Sequence, residues 1–146
     1  MAMLLYLHGF NSSPESKKAL QTRDWCAENA AELTFVCPAL PPFADSAMGI
    51  LRSLIEKQLP EPVYLIGSSM GGFFATCLAE QYSLRAVLIN PAVSPGRGLH
   101  KWLGENSNYM TGEKWVFEPR HIDQYLALDP SEIRYKNNYL VLLQTG

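Results

Sequence analysis

The sequence predicts an α/β protein in which a mainly parallel sheet carries helices on both faces. Three observations predict it. Short, continuous apolar runs of the kind that fill doubly covered strands recur along the first ninety residues. Each is followed by a helical pattern before the next begins, which requires parallel neighbours joined by right-handed crossovers. The alternation breaks over residues 93–138 and resumes with one more apolar run at 139–143.

The first run is Leu4-Leu5-Tyr6-Leu7, ending at His8-Gly9-Phe10-Asn11-Ser12-Ser13. Pro14 suits a first helical position with Ser13 as N-cap, and the helix is expected to extend to about residue 31. Leu33-Thr34-Phe35-Val36-Cys37 is the second strand, stopped by Pro38 and the Pro41-Pro42 loop. The next helix has the clearest periodicity: Ala47, Ile50, Leu51, Leu54 and Ile55 form one stripe, with Asp45 or Ser46 as cap and Pro60 as stop. Val63-Tyr64-Leu65-Ile66 is the third strand, followed by a glycine-rich turn and a helix to about residue 82. Ala86-Val87-Leu88-Ile89 is the fourth, closed by Asn90-Pro91. The excursion of about 45 residues that follows is longer than an ordinary connection. It reads as a helical cap inserted at 93–138 within a single domain spanning 1–146, with short helical patterns such as 121–128. Tyr139-Leu140-Val141-Leu142-Leu143 is the fifth strand.

Composition narrows the function classes. Of 146 residues, 47 % are apolar and 18 % charged, and the net charge is −2 with no basic run. No electrostatic footprint for nucleic acid or an anionic membrane is present, so a small-molecule substrate is expected. The three cysteines, Cys26, Cys37 and Cys77, are far apart and form no Cys-x-x-Cys or Cys/His cluster. Cys37 and Cys77 have apolar neighbours and read as buried thiols, consistent with a reduced, cytoplasmic compartment. Residues 3–7 are apolar, too few for a leader or a membrane span. No metal and no cofactor is expected.

The ends of parallel strands are where such sheets bind ligands, and His8 to Asn11, Gly67 to Gly71, Asn90-Pro91 and Thr145-Gly146 all fall there. Gly67-Ser68-Ser69-Met70-Gly71 is a Gly-x-Ser-x-Gly motif, which alone arises by chance in roughly one chain in twenty of this length. Its setting between a strand and a helix is that of a nucleophile elbow, with Ser69 projecting into the cleft. The two glycines are required where side chains would strike the neighbouring strand and helix, and Gly72 lets the helix lie close to the sheet. A phosphate-binding turn is the alternative, but the motif lacks the Gly-Lys-Ser/Thr ending of a P-loop and the spacing of Gly-x-Gly-x-x-Gly. Ser68 is off the motif's centre. The N–H of Met70, at the start of a helix, and that of Phe10, in the His-Gly loop, are the candidate oxyanion donors. The chain is thereby read as an α/β hydrolase.

His8 precedes the serine and so falls outside the Ser, acid, His order of this fold; it reads as a brace for its loop. His100, His121, Asp123 and Asp129 lie in the excursion and read as cap or surface residues. The triad acid belongs after the strand at 139–143 and the histidine after one further strand, both beyond Gly146. The C-terminal strand and helix of the fold are therefore expected to be missing, and these 146 residues alone are expected to hydrolyse near background.

Leu-Tyr-Leu-His-Gly-Phe-Asn-Ser-Ser-Pro at 5–14, Tyr-Leu-Ile-Gly-Ser-Ser-Met-Gly-Gly-Phe at 64–73, Leu-Ile-Asn-Pro-Ala-Val at 88–93 and Tyr-Leu-Val-Leu-Leu-Gln-Thr-Gly at 139–146 resemble the YqiA-type bacterial esterases. The resemblance implies a small cytoplasmic serine esterase or thioesterase with a Ser-Asp-His triad and no cofactor. It implies Ser69 as nucleophile, Met70 and Phe10 as oxyanion donors, an Asp directly after Gly146 and a later His. Trp102, Tyr109 and Trp115 are expected either to line an acyl pocket or to form the core of the cap. The alternative function is a non-catalytic ligand-binding protein on the same scaffold.

Overall fold

In the computed structural model, which describes residues 1–144, the expected alternation is present. The order is β1 (Met3–Leu7), α1 (Lys17–Asn29), β2 (Thr34–Val36), α2 (Ala44–Gln58), β3 (Val63–Ser68), α3 (Met70–Tyr82) and β4 (Arg85–Ile89). A 3-10 helix (Pro95–Trp102), β5 (Gly104–Ser107), β6 (Lys114–Phe117), α4 (Pro119–Leu128) and a second 3-10 helix (Lys136–Asn138) lead to β7 (Tyr139–Leu142).

Five strands form one parallel sheet in the order β2-β1-β3-β4-β7. Met3, Leu5 and Leu7 face a core made with α2, α3 and Tyr125 of α4. Leu4 and Tyr6 alternate to the other face, where the Tyr6 ring lies 6.3 Å from that of Phe35 in β2. Leu51, Ile55, Leu65 and Leu78 are fully buried, each contributing about 1.5–3 kcal/mol of hydrophobic stabilisation.

Several local expectations are corrected. Helix α1 begins at Lys17, not Pro14, because the Ser13 hydroxyl accepts from the Glu15 N–H in a tight turn and Ser16 takes the N-cap position. Helix α2 is capped by Phe43, with Asp45 in its first turn. Its buried stripe is Ala44, Ala47, Met48, Leu51 and Ile55, while Ile50 is 37 % exposed. Of the cysteines, Cys26 and Cys77 are buried and Cys37 is half-buried. The segment over 93–138 is not purely helical, since β5 and β6 pair as an antiparallel hairpin. Tyr139 is half-buried, whereas Leu140, Val141, Leu142 and Leu143 are exposed; among the described residues β7 pairs with β4 alone. Thr145 and Gly146 lie outside the described residues.

Candidate active site

From β1 the chain runs to β2 on one side of the sheet, and β3 then adds on the other side. The strand order reverses between β1 and β3, and ligands of open parallel sheets bind in the crevice at such a switch. The loop after β1 is His8 to Asn11, and the turn after β3 is Ser69.

Ser69 has φ 55 and ψ −119, a left-handed conformation costly for any residue but glycine. The turn is held from both sides. Its N–H donates to the Ile89 carbonyl at 3.0 Å, and its carbonyl accepts from the N–H groups of Gly72 and Ala92, each at 2.9 Å. A Cβ at Gly67 would strike the backbone of Gly71, and one at Gly71 would strike the Leu7 carbonyl. One at Gly72 would lie 2.7 Å from Pro91 Cβ. Small residues are thus required where α3 crosses β1 and β4, and the crossing forces the serine out of the turn. Ser69 is exposed, whereas Ser68 ends β3 half-buried in regular strand.

Gly9 lies against the serine: a Cβ there would be 3.5 Å from Ser69 Cβ. Phe10 and Met70 line one small cavity. Neither backbone N–H has an acceptor among the described residues, and that of Met70 opens α3, the positive end of its dipole. The Phe10 ring packs on Trp102, Trp115, Phe117 and Tyr125 with centroids 5.4, 5.6, 5.9 and 6.4 Å away. Trp102 and Trp115 therefore form the core of the excursion around Phe10, and Tyr109 is mostly exposed.

His8 is buried with both ring nitrogens engaged. Nδ1 donates to the Gly9 carbonyl at 2.9 Å and Nε2 accepts from the Leu40 N–H at 2.9 Å. Burial lowers its pKa, only partly offset by the Gly9 carbonyl, so the ring stays neutral as a brace. His121 is also buried, its Nδ1 accepting from the Glu118 N–H, and His100 is exposed. Asp129 caps the end of α4. Burial pushes the thiols of Cys37 and Cys77 up to about 11 and about 12, so neither offers a thiolate near neutrality. Among the described residues no group of three His, Cys, Asp or Glu side chains is placed to hold a metal. No described helix is long and apolar enough to cross a membrane.

Asn11 does more than its place in a loop motif indicates. Asn11 is buried with φ 61; its Nδ2 donates to the Ser107 carbonyl at 2.8 Å, its Oδ1 accepts from Trp115 Nε1 at 3.1 Å, and its carbonyl accepts from the Tyr109 N–H. It ties the candidate oxyanion loop to the β5–β6 hairpin. The available signal was an asparagine two residues beyond the His-Gly pair, a residue type that tolerates left-handed backbone.

A family model described as "Uncharacterised protein family (UPF0227)" matches residues 3–146. The chain belongs to that family. The YqiA-type resemblance read from the motifs agrees with it. A UPF0227 protein of Shewanella woodyi is 32 % identical over 99 residues, 64 % of this chain and 52 % of the relative. The chain thus matches about half the length of that UPF0227 relative. Among solved structures, alpha/beta hydrolase domain-containing protein 10 from mouse aligns over 98 % of this chain and 80 % of its own, with TM-score 0.72 and 13 % identity. Est1E from Butyrivibrio proteoclasticus aligns over 97 % and 66 %, with TM-score 0.65 and 12 % identity. At such identities the likeness is one of fold, and the fold of this UPF0227 chain is that of the α/β hydrolases.

Proposed function

We propose that this chain supplies the nucleophile and oxyanion hole of a serine hydrolase that cleaves small acyl esters or thioesters. The observation that carries this reading is the left-handed backbone of Ser69, held between glycines that packing makes obligatory. A binding protein gains nothing from strain of about 1–3 kcal/mol at one exposed serine, whereas a nucleophile gains a fixed, accessible hydroxyl.

In the proposed reaction Ser69 Oγ loses its proton to a histidine that the family pattern places beyond Gly146. It then bonds to the acyl carbon, and the carbonyl electron pair moves onto oxygen, held by the N–H groups of Met70 and Phe10. Collapse expels the alkoxide or thiolate, which takes the proton from the imidazolium. Water repeats the sequence on the acyl-enzyme and releases the carboxylic acid. Neither cofactor nor metal takes part.

The test is steady-state hydrolysis of 4-nitrophenyl esters and acyl thioesters by the protein made from its complete coding sequence. Ser69→Ala is expected to lower kcat by about 10⁶-fold, the loss seen when the nucleophile of a Ser-His-Asp enzyme is removed. Undiminished turnover by Ser69→Ala would refute the assignment, and unchanged melting of the variant excludes unfolding as the cause.

A further inference from the structure

The segment at residues 89–92, where β4 ends, touches the serine turn on one side and the end of β7 on the other. Toward the serine, the Ile89 carbonyl accepts from the Ser69 N–H at 3.0 Å, and the Ala92 N–H donates to the Ser69 carbonyl at 2.9 Å. Pro91 lies against the first turn of α3, so close that a Cβ at Gly72 would stand 2.7 Å from its own Cβ. Toward β7, the Asn90 N–H donates to the Leu142 carbonyl at 2.9 Å. The Asn90 side chain adds a second bond, its Oδ1 accepting from the Gln144 N–H at 2.8 Å.

The register shows why a side chain serves there. Ile89 pairs with Leu142. A regular parallel ladder would therefore send the Gln144 N–H to the main-chain carbonyl of Asn90, and the Ala92 N–H to that of Gln144. Asn90 instead has φ 43, a left-handed backbone that turns the chain off the ladder. The Ala92 N–H is given to the serine turn, and Asn90 Oδ1 stands in for the main-chain acceptor. Asparagine meets both demands, since it tolerates left-handed backbone and its short amide bonds where a main-chain group would. The other end of β7 is held from α3, where Glu80 accepts from the Tyr139 hydroxyl at 2.6 Å.

We propose that Asn90 is a positioning residue that holds the end of β7 in register with the Ser69 turn. Strand β7 lies two strands from β3, so their ends stand roughly 10 Å apart along the same edge of the sheet. The triad acid expected directly after Gly146 would enter the site from the strand end that Asn90 sets. This role in the reaction rests on the Ser69 reading. The hold on Gln144 does not.

The experiment compares wild-type, Asn90→Gly, Asn90→Asp and Ser69→Ala protein from the complete coding sequence, below the melting temperature of each. Asn90→Gly accepts φ 43 and removes the side-chain acceptor, whereas Asn90→Asp keeps an acceptor in the same place. The Gln144 amide is expected to exchange with solvent about fivefold faster or more in Asn90→Gly, and near the wild-type rate in Asn90→Asp. With 4-nitrophenyl esters, Asn90→Gly is expected to lower kcat about tenfold or more while KM stays within about twofold. Asn90→Asp is expected to keep kcat within about threefold of wild type. Unchanged kcat in Asn90→Gly, a loss confined to KM, or a loss as large in Asn90→Asp would overturn the positioning role. Unchanged exchange at Gln144 in Asn90→Gly would overturn the hold itself. Full turnover by Ser69→Ala would instead remove the Ser69 reading, and exchange alone would then decide the hold.

Discussion

At the scale of the residue, Ser69 and His8 divide the work at the end of the sheet. The backbone of Ser69 is strained whichever side chain it bears, so removing the hydroxyl and removing the strain are separable. Ser69→Gly adopts φ 55 without penalty and is expected to stabilise the fold by about 0.5–2 kcal/mol, the relieved strain less the entropy of glycine. Ser69→Ala keeps the strain and is expected to leave stability unchanged; paired denaturant titrations measure both. His8 makes stability depend on pH. Its folded pKa is lowered by burial, so above about pH 6.5 the ring is neutral in both states and contributes no slope. Below that the unfolded chain takes up a proton the folded chain refuses, and stability falls until the folded pKa is passed. His121 is lowered too, by burial and by Arg120 against the opposing Glu118. Burial alone would raise Glu80, but hydrogen bonds from Tyr139, Arg134 and Tyr135 hold it below the usual range, so its loss of stability comes at lower pH. Thermal melts across about pH 7.5 to 5 are therefore expected to decline, and less steeply in His8→Asn.

At the scale of the element, the loop after β1 is shaped by what it packs against more than by its own sequence. Phe10 is anchored among four aromatic rings, and Asn11 fastens the next residue to the hairpin. Asn11→Ala loses both side-chain hydrogen bonds and the residue type that accepts φ 61. It is expected to cost about 2–4 kcal/mol and, by letting the Phe10 N–H drift, to lower kcat more than it raises KM. Melting and steady-state kinetics of the same preparation check both. The hairpin was invisible in the sequence because Gly104-Glu105-Asn106-Ser107 has no apolar alternation. Its strands pair with each other, and long-range bonds such as Asn108 Nδ2 to the Ser12 carbonyl fasten it to the loop after β1. The helix caps misled for a related reason: the hydroxyl of Ser13 served a turn instead of a helix. The stripe of α2 differs from the periodicity at Ile50 because Ala44 and Met48, not Ile50, are buried.

At the scale of the whole molecule, the strands and their parallel arrangement were legible because parallel strands between helices are short apolar runs, whereas the order β2-β1-β3-β4-β7 emerges only in the structure. The convergence of Gly9, Phe10, Ser69 and Met70 on one switch point follows from that order. The serine turn was legible because its glycines answer to backbone contacts with strands before and after it in the chain. What the sequence did not reveal is the buried Tyr6 hydroxyl, without a hydrogen-bond partner by geometry among the described residues, because Tyr6 reads as one more apolar residue of β1. The fold is proposed to present Ser69 as its nucleophile. This is tested most directly by reacting the protein from its complete coding sequence with a fluorophosphonate and mapping the adduct by peptide mass spectrometry. One stoichiometric adduct on Ser69, absent from Ser69→Ala, is expected. An adduct on another residue, or undiminished labelling of Ser69→Ala, would contradict it.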